Sequence, residues 1–135
     1  MNVLDRFLKY VSFPTASCED SETVPSTERQ TVLARFIADE LSAMGLSDAG
    51  VDGCGYVYAV LPATPGMENA EPIGFVSHMD TSPDAPGENI KAKKILYRGG
   101  DIDLGERVMR VSDFPVLSKY EGRELIVTDG STLLG

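Results

Sequence analysis

The sequence predicts an α/β fold. Three observations carry that expectation. Two apolar stripes at helical spacing lie within the first 45 residues, and short runs rich in β-branched and aromatic residues follow from residue 56. One of those runs, Ile73-Gly-Phe-Val-Ser77, lacks the polar alternation of a half-exposed strand and reads as buried on both faces. Helices followed by strands, one of them buried, are the pattern of a layered sheet. A chain of 135 residues favours one domain, 1-135.

The elements can be justified in order. Val3, Leu4, Phe7, Leu8 and Val11 share a helical face, with Asn2 as the cap and Pro14 as the stop. Thr15 to Pro25 is polar and turn-rich, hence a loop. Thr27 and Gln30 stand at capping-box spacing, so hydroxyl and amide can each satisfy a free backbone N–H at a helix start. Val32, Leu33, Phe36, Ile37, Leu41 and Met44 then form the second stripe, closed by Gly45. Tyr56 to Leu61 reads as a strand after the Gly53-Cys-Gly55 turn, and 62–72 as a loop. Beyond the buried run, Ser82 to Asn89 is a second loop. Short strands are expected at Ile95–Tyr97, Ile102–Leu104, Val108–Val111 and Leu125–Val127. No repeat or low-complexity tract interrupts this order, and no closing helix follows the last strand to cover a sheet.

Composition narrows the function classes. At 42% hydrophobic and 24% charged residues, the chain is no disordered tail, coiled coil or collagen-like fibre. Twelve Lys and Arg against 21 Asp and Glu give a formal charge of −9. That field repels nucleic acid and anionic membrane surfaces alike. No run of 18 apolar residues is present, so no membrane span is expected. The first ten residues lack the basic start and unbroken apolar stretch of a signal peptide. Cys18 and Cys54, 36 residues apart, read as free thiols in a reducing compartment. A cytoplasmic location is the expectation.

Chemistry centres on the single histidine. His78 follows the buried run within Ser77-His-Met-Asp-Thr81, and ligands of open α/β sheets gather at the carboxyl ends of strands. His78 and Asp80 point to one face if the chain stays extended. The carboxylate can then accept an imidazole N–H, freeing the other nitrogen for a metal, or it can orient the ring as a general base. The same spacing also suits a hydrogen-bonded loop histidine beside a turn aspartate. Zinc takes about four ligands, and Asp84, Asp101, Asp103, Glu106, Asp113 and Asp129 are further acids, most of them fitting solvated turns. No Gly-x-Ser-x-Gly elbow and no phosphate-binding Gly-Lys-Ser/Thr core occurs.

Several segments in order carry a resemblance. They are Val24-Pro-Ser-Thr27, Ile73-Gly-Phe-Val-Ser-His-Met-Asp-Thr-Ser-Pro-Asp84, Tyr97-Arg-Gly-Gly-Asp-Ile102, Phe114-Pro-Val-Leu117 and Thr128-Asp-Gly-Ser-Thr-Leu-Leu-Gly135. Together they resemble the tripeptide aminopeptidases (the peptidase T family), a branch of the di-zinc aminoacylase and carboxypeptidase-like metallopeptidases. The His-x-Asp motif marks the wider family; Arg98-Gly-Gly-Asp101 and the terminal segment narrow it to this branch.

The resemblance implies the N-terminal part of a three-layer αβα catalytic domain, incomplete at the C-terminus and without the lid or dimerisation domain. It implies that His78 ligates one zinc ion and that Asp80 is the catalytic acid that orients it. Two zinc ions, a bridging aspartate in a following Ala-Asp-Asp run and a separate glutamate base complete the family's site. None of those later ligands falls within residues 1–135. The substrate class implied is tripeptides, from which the N-terminal residue is released by metal-activated water. A piece with one imidazole ligand is expected to hold no zinc tightly and to be inactive alone. The alternative is a non-catalytic binding or assembly module derived from this peptidase, self-associating through uncovered sheet surface. A mononuclear metal-binding protein is a third reading.

Overall fold

The structure, a computed structural model, describes residues 1–134. These residues form two compact units, one of 15–81 and one of 1–14 with 82–134. Two helices come first along the chain and small antiparallel sheets follow, which is α/β in the broad sense. The strands form three separate two-stranded antiparallel pairs.

In the unit of 15–81, helix α2 (Gln30–Ala43) packs on the ribbon of β1 (Ser47–Val51) and β2 (Val57–Val60). Leu33, Ala34 and Ala38 are its buried residues. Small alanines let the helix backbone sit close to the ribbon, whereas Val32 and Met44 of the expected stripe are exposed. Gly45 ends the helix with φ +88°, the left-handed geometry a residue without Cβ adopts at least cost. The capping box does not form. Arg29 is the N-cap and its side chain makes no capping bond, Thr27 Oγ1 donates to the carbonyl of Ala16, and Gln30 Nε2 donates to Ser26 Oγ. The helix starts two residues later than a Thr27 cap requires, so the Thr27 hydroxyl lies outside it and its proton goes to the Ala16 carbonyl. Strand β1, Ser-Asp-Ala-Gly-Val, has too few β-formers to be seen in the sequence; it exists because β2 pairs with it.

The buried strand expected at Ile73–Ser77 is overturned. The segment is extended but belongs to no strand, and Ile73, Phe75 and Val76 are 82, 96 and 100% exposed. An apolar run becomes a buried strand only where neighbouring strands and covering layers meet it. None of the described strands does so.

In the other unit, α1 (Val3–Tyr10) starts as expected, with Asn2 Oδ1 accepting from the Asp5 N–H at 2.8 Å. Strands β3 (Lys93–Leu96) and β6 (Glu124–Val127) pair in full register, and β4 (Ile102–Asp103) pairs with β5 (Val108–Met109). A 3-10 helix at Pro115–Tyr120, not foreseen, places Leu117 in the core. That core is Tyr97, Ile102, Leu104, Leu117 and Val127. Cys18 and Cys54 are free and exposed. No helix among the described residues is long and apolar enough to cross a membrane.

Candidate functional site

His78 and Asp80 are brought together by the extended chain between them. The His78 Nδ1 lies 2.8 Å from the Asp80 carbonyl oxygen and 3.3 Å from its Oδ1. Two acceptors at Nδ1 favour the tautomer that carries its proton there, leaving Nε2 as a lone-pair donor. Among the described residues no protein group takes Nε2, and the ring is 83% exposed. A histidine held in this way is prepared to ligate a cation or accept a proton.

The chain around the pair is anchored on one side. The Thr81 N–H donates to the Thr15 carbonyl at 3.2 Å, and the Thr81 carbonyl accepts from the Ser17 N–H at 3.0 Å and from Ser17 Oγ at 3.2 Å. This is an isolated parallel bridge centred on Ala16 and Thr81. On the other side, Ile73 to Ser77 is exposed and takes part in no strand.

The other candidate acids do not join the pair. Asp101 Oδ1 accepts from the Val111 N–H, Asp103 Oδ1 from the Gly105 N–H, and Asp84 Oδ2 from Ser82 Oγ. Asp103 and Asp84 serve local turns, and Asp101 ties the two ends of the β4–β5 hairpin. Asp129 is held by Lys91 Nζ at 2.7 Å and by the N–H and hydroxyl of Ser131. The Lys91 ammonium, then the Ser131 donors, hold its carboxyl well below the usual carboxylate range; Lys91 is raised by the same pairing. Among the described residues no group of three or more His, Cys, Asp or Glu could hold a metal ion. One imidazole and one carboxylate fall short of a complete zinc site.

Charge is unevenly divided. Residues 15–81 hold eleven acids against two arginines, so the unit bearing His78 carries the whole net charge of −9. The other unit has ten of each sign. The field around His78 therefore attracts cations.

Comparison with known proteins finds peptidase T relatives across nearly all of the chain. Peptidase T of Clostridium acetobutylicum is 49% identical over 137 residues, covering 98% of this chain. Peptidase T of Parabacteroides distasonis is 48% identical over 138 residues, covering all of it. Peptidase T of Clostridium novyi is 50% identical over 138 residues, covering 98%. Over nearly its whole length the chain is similar to peptidase T. It spans about a third of the length of the curated relatives it matches, 33, 34 and 33% of these three. No family model matches the chain.

Within this peptidase T homologue, sequence reasoning overlooked the Thr15–Ser17 anchor of Thr81. Its only signal was the polar character of the loop, because backbone bonds between residues more than 60 positions apart leave no local pattern. The Lys91–Asp129 pair was equally hidden, its partners being 38 residues apart.

Proposed function

We propose that the chain supplies one part of the catalytic apparatus of a zinc-dependent tripeptide aminopeptidase, within the first part of a three-layer αβα domain. His78 is the zinc ligand, through Nε2, and Asp80 the acid that orients it. The observation that carries this reading is the approach of His78 Nδ1 to Asp80, 2.8 Å from its carbonyl oxygen and 3.3 Å from its carboxylate Oδ1, which leaves Nε2 open. The acidic field of 15–81 supports it, since both a zinc ion and the protonated amino end of a peptide are cations. Zinc, when bound, lowers the pKa of its water and polarises a peptide carbonyl. The residues of this chain do two simpler things: Asp80 keeps the Nδ1 proton in place, and His78 presents Nε2.

With a single imidazole available, the chain alone binds zinc weakly and hydrolyses no tripeptide. Its expected setting is the cytoplasm, away from nucleic acid and membranes. The test is a zinc titration of the purified chain, read by the 15N resonances of its one imidazole. Zinc at millimolar concentration should perturb Nε2 first, and His78→Ala should abolish the response. An unaffected ring rejects His78 as ligand. Tripeptide turnover by the chain, lost in His78→Ala, rejects its inactivity.

Exposure of Ile73, Phe75 and Val76 favours a second reading, a binding or assembly module that self-associates through this segment. Light scattering separates the two: a monomer at 100 μM (about the range in which weak patches associate) rejects the assembly role.

A further inference from the structure

The Thr27 hydroxyl is the group whose use in the fold its sequence position does not explain. It stands three residues before the start of α2, where a cap was expected, yet it donates to the Ala16 carbonyl at 3.0 Å, eleven residues back. The residues flanking Ala16 are the ones that grip Thr81: the Thr15 carbonyl accepts its N–H and the Ser17 N–H and hydroxyl donate to its carbonyl. Thr81 directly follows Asp80. Thr15 is 3% exposed, so the grip is made at a shielded site where a hydrogen bond is not readily replaced by water.

We propose that Thr27 is a positioning residue for the His78–Asp80 pair, acting through Ala16 and the backbone of Thr81. The chain before His78 is exposed and unpaired, so the orientation of the pair has to come from the Thr81 side. A helix start is a rigid anchor for that purpose. Thr27 connects the 15–17 loop to it, the loop holds both polar backbone groups of Thr81, and Thr81 fixes the peptide carrying the Asp80 carbonyl that accepts from His78 Nδ1. Oγ1 of Thr81 itself is buried without a partner. The grip therefore runs through the main chain and not through that hydroxyl.

The inference rests on His78 and Asp80 being the working pair, but its test involves no metal. Failure of zinc to bind leaves it standing, and its failure leaves the zinc reading standing. Two measurements suffice on the intact chain, where His78 is the single histidine. In the unmodified protein, hydrogen exchange should show protected amides at Ser17 and Thr81; free exchange at both overturns the proposal without any variant. In Thr27→Val, which keeps shape and removes the donor, Thr81 protection should fall about tenfold, the scale of one hydrogen bond. At a pH where imidazole is neutral, the His78 ring 15N resonances should also move from a single Nδ1–H tautomer toward the average of a free ring. Thr27→Ser should restore both readouts. Thr31→Val, which removes a hydroxyl on the same helix that donates to the Glu28 carbonyl just before it, should change neither. An unchanged His78 signal in folded Thr27→Val, or no rescue by serine, overturns the proposal.

Discussion

His78 Nδ1 lies nearer the backbone carbonyl of Asp80, at 2.8 Å, than its carboxylate, at 3.3 Å. The main chain is thus the first acceptor of the imidazole proton. The carboxylate is a second acceptor, whose charge strengthens the lone pair at Nε2.

Asp80→Asn should therefore keep the Nδ1–H tautomer, because the closer acceptor is untouched. Ring 15N shifts measure this directly. A switch to the Nε2–H tautomer would show that the carboxylate, not the carbonyl, dictates the proton's position.

The Lys91–Asp129 pair makes stability depend on pH in a known direction. The folded-state pKa of Asp129 is depressed, so its contribution is present above the ordinary carboxylate pKa of about 4 and is lost as pH falls through the folded value. Lys91 is raised, so the same interaction persists below the ordinary lysine pKa and is lost as pH rises through the folded one. Melting temperatures of the protein and of Asp129→Asn should differ at neutral pH and converge in acid. A difference independent of pH contradicts the assignment.

Gly130 should not tolerate a side chain. It has φ +84°, and an added Cβ would stand 2.9 Å from the Arg107 backbone nitrogen. Gly130→Ala combines left-handed strain with a backbone clash, so a loss of about 2 kcal/mol is expected in denaturant unfolding. A loss below about 0.5 kcal/mol would mean the 104–107 turn yields freely.

Leu117 and Ile102 are 7 and 6% exposed in one core. Leu117→Ala should cost about 3 kcal/mol by lost transfer energy and a residual cavity. A cost under about 1 kcal/mol would mean the 3-10 helix does not close that core.

Phe75, at 96% exposure, has the opposite expectation. Phe75→Ser should alter stability by no more than about 0.5 kcal/mol while lowering any concentration-dependent association seen by light scattering. A large loss of stability would mean that the ring is packed in solution.

Much of this was legible in the chain itself. The Asn2 cap, the Gly45 stop, helix α2 and the strands ending at Val127 follow from local signals, since capping, left-handed glycine and side-chain periodicity act over a few residues. His78 with Asp80 was equally readable, because two residues of extended chain suffice to bring them to one side.

What the tertiary structure alone decided is where distant partners compete. Thr27 and Gln30 stand at capping-box spacing, yet the helix starts only at Gln30, and their side chains donate instead to the Ala16 carbonyl and the Ser26 hydroxyl. Ile73 to Val76 have the composition of a buried strand, yet burial requires neighbours that local sequence cannot supply. Propensity and spacing set what a residue is able to do within one turn or one strand. Which of those options it takes depends on the groups that folding brings within 3 Å of it (about one hydrogen-bond length).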